Sequence, residues 1–254
     1  MYWSNQVRLG RPPTRTSNLQ DLLRLTLGAV ELASTRREAL SSVSAGAPPA
    51  WVGGKLAQYR HAVYETSVVY EFSQLAQHDF EAHGSDAVWE RPLAYVPDDH
   101  KNWRQIHVDL SLFSKKDRVE TRIEFGKSDP RPAARPTPRD EKLDGDSRKL
   151  HLARDIYRAV KDDPDIAEDS RLAVENYVIL WDERDSRTTS KVDAKLTGAR
   201  AKLWQTRCEQ YATSATATVG VAVVLEAVAA SSLMTLEKDA HRNAFAAIYS
   251  IGLA

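Results

Sequence analysis

Two stretches, IHVDLSLF (106–113) and VETRIEFGK (119–127), alternate apolar and polar residues without a break, and a short polar turn, SKKD (114–117), separates them. Side chains of a strand point to its two faces in turn, so a period of two interrupted by turn residues selects a β-hairpin. In this reading Ile106, Val108, Leu110 and Leu112 share one face, opposite His107, Asp109, Ser111 and Phe113. In the second strand Val119, Thr121, Ile123 and Phe125 oppose Glu120, Arg122, Glu124 and Gly126. A third stretch, NYVILWD (176–182), is apolar without alternation, the pattern of a strand covered on both faces. A hairpin beside a doubly buried strand calls for a mixed α/β chain.

The flanking sequence supplies the helices. Asn18 is placed to cap a helix reaching about residue 43, with Leu22, Leu25, Ala29 and Leu32 at helical spacing. A second helical region runs from about Lys55 to Glu81, and WERPLAYV (89–96) reads as a strand. After the proline-rich stretch 128–140, the spacing predicts a helix from Asp146 to about Lys161, then helix over 192–213, strand over 216–228 and a C-terminal helix from about Thr235 to Tyr249.

Formal net charge is zero, with 35 basic and 35 acidic groups, which argues against a chain coated on nucleic acid along its whole surface. The charge is blocked, however. Residues 1–60 carry 8 basic and 3 acidic groups, residues 61–113 carry 3 and 9, and residues 114–160 carry 13 and 9. The single cysteine, Cys208, excludes an internal disulfide framework and fits a reducing, cytoplasmic setting. MYWSNQVRLGRPP has no apolar run after its basic residues, so no secretory signal is expected there. Ala212–Leu236 is apolar, but Glu226 falls near its middle, so strand and loop are expected there, with no membrane contact.

Within the hairpin, Asp109 and Glu124 are placed to project to one side of neighbouring strands, about 4.8 Å apart. Carboxylates at that range repel, and a divalent cation is a common compensation; Mg²⁺ takes one or two carboxylates plus waters and phosphate oxygens. The bland reading of the same pattern is a solvated polar face on which Glu124 pairs with a neighbour such as Arg122.

The order helix, strand, acid-bearing hairpin, helix, strand, with IHVD, RIEFGK and the helix segment DSRKL (146–150), resembles the core of the PD-(D/E)xK nuclease superfamily over roughly residues 55–182. The resemblance implies a restriction-endonuclease-like mixed β-sheet flanked by helices, with residues 1–54 as an N-terminal arm and helix and residues 55–254 as the nuclease-like domain. It implies hydrolysis of nucleic-acid phosphodiesters, DNA in the first place, with Mg²⁺ (or Mn²⁺), and it admits a homodimer. Asp109 and Glu124 would hold the metal, joined by a helix acid, Glu71 or Glu65, and a lysine would position or activate water. The family places that lysine two residues after the acid, where this chain has Gly126; Lys127 returns to the face of Glu124 only if Gly126 is the extra residue of a bulge. Lys149 from the helix and Arg122 are the alternatives. Lys115, Lys116, Arg131, Arg135, Arg139 and Lys149 are the expected contacts to the nucleic-acid backbone. The other class of function consistent with the displaced lysine is a non-catalytic protein of this fold that binds protein or nucleic acid.

Overall fold

A computed structural model describes residues 2–3, 19–43, 65–81, 85–95, 104–114, 118–128, 139–154, 173–185, 198–233 and 242–252. Its elements in chain order are β1 (Tyr2–Trp3), α1 (Leu19–Val43), α2 (Glu65–Glu81), β2 (Ser85–Tyr95), β3 (Arg104–Ser114), β4 (Val119–Lys127), α3 (Glu141–Leu152), β5 (Ala153–Arg154), β6 (Ala173–Asp185), α4 (Gly198–Val219), β7 (Val223–Leu233) and β8 (Arg242–Ile251). Six long strands form one mixed sheet in the order β7-β8-β6-β4-β3-β2, with the two-residue strands β1 and β5 on its outer edges. β4 and β6 are parallel; every other pairing is antiparallel.

Helices cover both faces, as the doubly apolar β6 requires. On one face Leu22, Leu25 and Val30 of α1 and Val68 and Phe72 of α2 pack on Ile123, Phe125, Ile179, Trp181 and Ile248. The rings of Phe72 and Phe125 meet edge-on with centroids 4.9 Å apart. On the other face Leu143 and Leu150 of α3 and Trp204, Cys208 and Tyr211 of α4 pack on Val178, Leu180, Ala247 and Tyr249. Each of these large side chains stabilises the fold by roughly 1.5–3 kcal/mol relative to exposure. Cys208 is buried in its helix, and burial pushes its thiol up to about 12, so it serves as a small apolar side chain.

Three expectations are corrected. The C-terminal segment is a strand, β8, whose residues from Asn243 to Ile251 are nearly all buried between β6 and β7. Alanine-rich composition favours helix locally, and a central position in the sheet overrides it. The strand expected from residue 216 begins at Val223, because TATV continues α4 until Gly220 takes φ +79° and ends it. α3 begins at Glu141 and ends at Leu152. Its start is set by Asp140, whose carboxylate caps the Leu143 N–H at 3.0 Å and accepts from the Ser128 hydroxyl at 2.5 Å. That pair of bonds fastens the helix to the end of β4. Residues 155–161, predicted helical, lie outside the described residues, as do the turn 114–117 beyond Ser114 and the Lys55–Tyr64 part of the second helical region. No helix among the described residues is long and apolar enough to cross a membrane.

Candidate functional site at the end of the hairpin ladder

The hairpin is present, but its two strands separate at the residue of interest. β3 and β4 pair from Ser114–Val119 back to Leu110–Ile123, and there the ladder ends. Asp109 would be next. Instead of a backbone carbonyl, its carboxylate Oδ2 accepts the Phe125 N–H at 2.7 Å. On the other side of β3, Trp89 pairs with Leu110 and Arg91 with Val108, while Glu90, opposite Asp109, has φ +51°. A bulky residue in that left-handed region is uncommon and costs energy, and such outliers gather at functional sites.

The kink reverses the pleat. Val108 packs with the α3/α4 face and Leu110 with the α1/α2 face, so the expected single apolar face of β3 is corrected: alternation breaks at Asp109. The side chain there points into the gap between strands.

The polar face of β4 is buried rather than solvated, because α3 lies over it. Its two ends are electrostatically different. At the start, Glu120 accepts from Arg122 Nε at 2.8 Å and from the Ser111 hydroxyl at 3.2 Å, and Arg91 also pairs with it. Burial would raise the Glu120 carboxyl, but the two arginines outweigh it and hold it below its ordinary range. Arg122 donates its remaining bond to the Ala153 carbonyl, so it is committed here and does not serve Glu124.

At the far end stands Glu124, with a side chain only 1% exposed. Lys149 Nζ of α3 lies 2.6 Å from its Oε1. Burial first, and then Asp109, push the Glu124 carboxyl up to about 8 against the pull of Lys149. Asp109 itself is raised by burial, opposed by the Phe125 N–H and by Lys149 and Lys142. A third carboxyl, Asp146, is raised to about 7, again mainly by burial, against Lys142 and Lys149. Lys142, Asp146 and Lys149 stand at i, i+4 and i+7, one face of α3. Lys142 Nζ is 3.4 Å from Asp146 and 3.1 Å from Glu65, the first residue of α2. Asp109, Glu124 and Asp146 thus share one electrostatic neighbourhood with two lysines and the edge of Glu65. Among the described residues, no group of three His, Cys, Asp or Glu side chains is gathered into a metal-holding arrangement.

Other predicted site residues fall elsewhere. β4 pairs with β6 in unbroken register from Val119–Ala173 to Lys127–Trp181, and Gly126 has no positive φ, so the bulge expected there is absent. Lys127 therefore points to the other face, where its Nζ lies over the Trp181 ring at 5.2 Å. Gly126 has a different use. A Cβ built on it would stand 2.5 Å from Lys142 Cγ and 2.9 Å from Leu180 Cδ2, so the missing side chain is the channel through which the Lys142 stem crosses β4. Gly126→Ala is expected to displace that stem and destabilise the fold by about 1–3 kcal/mol, measured by denaturant unfolding.

Glu71 does not reach the cluster. It is buried on α2 and paired with Arg36 at 2.7 Å; the helix acid that lies against Lys142 and Asp109 is Glu65. Arg139 pairs with Asp144 beside the start of α3, and Lys149 is turned inward to Glu124. Lys115, Lys116, Arg131 and Arg135 lie outside the described residues. Lys142 joins the cluster unexpectedly, and Asp146, the first residue of DSRKL, joins it with no role foreseen, although their i, i+4, i+7 relation to Lys149 is visible in the sequence.

No protein-family model, no curated protein and no solved structure matches this chain.

Proposed function

We propose that this chain hydrolyses phosphodiester bonds of nucleic acid, DNA in the first place, with a divalent cation held by Asp109 and Glu124 in a restriction-endonuclease-like setting. The observation that carries the reading is the gap in the β3–β4 ladder. It presents two coupled carboxyl groups, one almost fully buried, with a lysine at 2.6 Å. Carboxyls perturbed by burial and by a neighbouring carboxyl gather at functional sites, and a cation between them is one way to offset their repulsion.

The donor set fits Mg²⁺ or Mn²⁺. It consists of hard oxygens, two protein carboxylates are the usual number for Mg²⁺, and a carboxyl raised to about 8 is one that a cation would deprotonate. When bound there, such an ion would polarise a phosphoryl oxygen and lower the pKa of an attacking water. The chain's own residues do the rest. The Phe125 N–H fixes the orientation of Asp109. Lys149, whose Nζ lies 2.6 Å from Glu124, would supply a positive charge for water or for the charge developing on phosphate. Asp146 and Glu65 hold Lys142 charged: burial works against its ammonium, and the two carboxylates outweigh it. The test is cleavage of plasmid DNA in Mg²⁺ by wild type, Asp109→Ala and Glu124→Ala. Loss of at least about a thousandfold in both variants is expected, and full activity in either one removes the assignment.

One observation favours a second reading. The two lysines already neutralise much of the cluster, which suits a non-catalytic protein of the same fold that binds protein or nucleic acid. Thermal melting with added Mg²⁺ separates the readings: a rise in Tm that grows with Mg²⁺ concentration supports the hydrolase, and a flat response supports the binding protein.

A further inference from the structure

Lys142 reaches the cluster by a path kept open for it. Its stem leaves α3 on the face shared with Asp146 and Lys149 and crosses β4 over Gly126. A side chain at 126 would close that path, since a Cβ there would stand 2.5 Å from Lys142 Cγ. At its end the Lys142 Nζ lies 3.1 Å from Glu65 of α2 and 3.4 Å from Asp146 of α3, and its charge also acts on Asp109. Asp146 Oδ2 is closed off from solvent, so lysine ammonium groups, and not water, offset its charge.

The charge of the cluster is unbalanced in one direction. Asp109, Glu124, Asp146 and Glu65 are four acids, and Lys142 and Lys149 are two bases, so full ionisation leaves two negative charges. One divalent cation at Asp109 and Glu124 neutralises that remainder. Without Lys142 the remainder would be three, and Asp146 and Glu65 would lose the charge that lies between α2 and α3. Sites of the two-ion kind place a second divalent ion beside the first. A lysine ammonium is a compact, strongly hydrated point charge, suited to stand where a cation would. The spread of the acids agrees with this, because among the described residues no three of them gather as a metal-holding group.

We propose that the Lys142 ammonium occupies the place of a further cation, between Asp146 and Glu65, and excludes a divalent ion from it. The proposal rests on the cation reading of Asp109 and Glu124 for the first ion, but the place that Lys142 fills is tested by counting ions, without catalysis. Mn²⁺ is titrated calorimetrically into chelator-treated wild type, Lys142→Met and Lys142→Met/Asp146→Asn. Methionine keeps an unbranched stem for the path over Gly126 and removes the charge. Wild type is expected to bind about one Mn²⁺ per chain, Lys142→Met about two, and the double variant about one. The added ion should bind Lys142→Met at least about tenfold more tightly than any further ion binds wild type. Should Lys142→Met fail to fold, Lys142→Gln takes its place in the same count.

Equal counts in wild type and Lys142→Met overturn the proposal, and so does an added ion that survives Asp146→Asn. If neither protein binds Mn²⁺, the proposal and the cation reading of Asp109 and Glu124 fall together. If wild type binds none while Lys142→Met binds one that Asp146→Asn removes, the place of Lys142 is supported and the cation reading of Asp109 and Glu124 is overturned.

Discussion

Lys149→Ala is expected to lower Mg²⁺-dependent cleavage by about a hundredfold to a thousandfold, while Lys127→Ala stays within about twofold of wild type. Proximity in sequence to Glu124 argues the reverse, since Lys127 is three residues away and Lys149 lies on another element. Geometry decides it. The unbroken β4–β6 register turns Lys127 to the face of Trp181, whereas Lys149 sits 2.6 Å from Glu124. Removing Lys149 also takes a positive charge from a buried carboxyl, so part of its effect is structural. Two further measurements separate the roles. Lys149→Arg keeps the charge and should restore the Tm of Lys149→Ala, but should recover activity only in part, because a planar guanidinium does not replace a compact ammonium at a water. The loss should fall on kcat rather than on the affinity for DNA in EDTA. A Lys127→Ala variant as impaired as Lys149→Ala would show that the strand lysine is the active one.

The contrast between these two lysines also shows what was legible in the sequence. Alternation located β3 and β4 to within two residues, and the apolar run located β6, because strand faces write their burial into the sequence with a period of two or with none. The acids of the hairpin were legible for the same reason. The pleat reversal at Asp109 was not: Ile106 to Leu112 alternate perfectly, and only the conformation of Glu90 and the side-chain bond to Phe125 show that the ladder stops. A bulge at Gly126 is the condition on which Lys127 would face Glu124, yet the small size of Gly126 serves a neighbour, the Lys142 stem from α3. A glycine in a strand states that space is needed and leaves open who occupies it. Glu65 and Glu71 were indistinguishable because both lie on α2; their separation depends on where Arg36 and Lys142 arrive from other helices. β8 is not legible because an alanine-rich run carries little period, and the sheet supplies its structure from both sides.

Glu124→Gln is expected to stabilise the metal-free protein at pH 8, on the order of 1–3 kcal/mol, and to change it little at pH 5. The Glu124 carboxyl is held at about 8 in the folded chain against an ordinary value of 4.5. Between those values the native state keeps a proton that the unfolded chain has released. Below about pH 4.5 both states are protonated and the stabilisation is complete; it is lost progressively as pH rises toward 8. Asp146, raised from 3.8 to about 7, shapes the pH dependence of each protein in the same direction, and Glu120, lowered by its arginines, acts oppositely at acid pH; both are present in the two proteins, so the difference between the curves is read as that of Glu124. The amide of glutamine has no proton to lose, so the variant escapes the penalty that wild type meets on the alkaline side. Thermal melting of the two proteins in EDTA from pH 5 to 8 measures this directly, and curves that stay parallel across the range would mean that Glu124 ionises normally. Adding Mg²⁺ at pH 8 should then raise the Tm of wild type and leave Glu124→Gln nearly unmoved, because an ion that binds the carboxylate removes the cost of ionising it. That pairing of results, a metal-free protein weakened by a carboxylate and a metal-bound one strengthened by it, is what a cation site predicts and a purely structural lysine–glutamate pair does not.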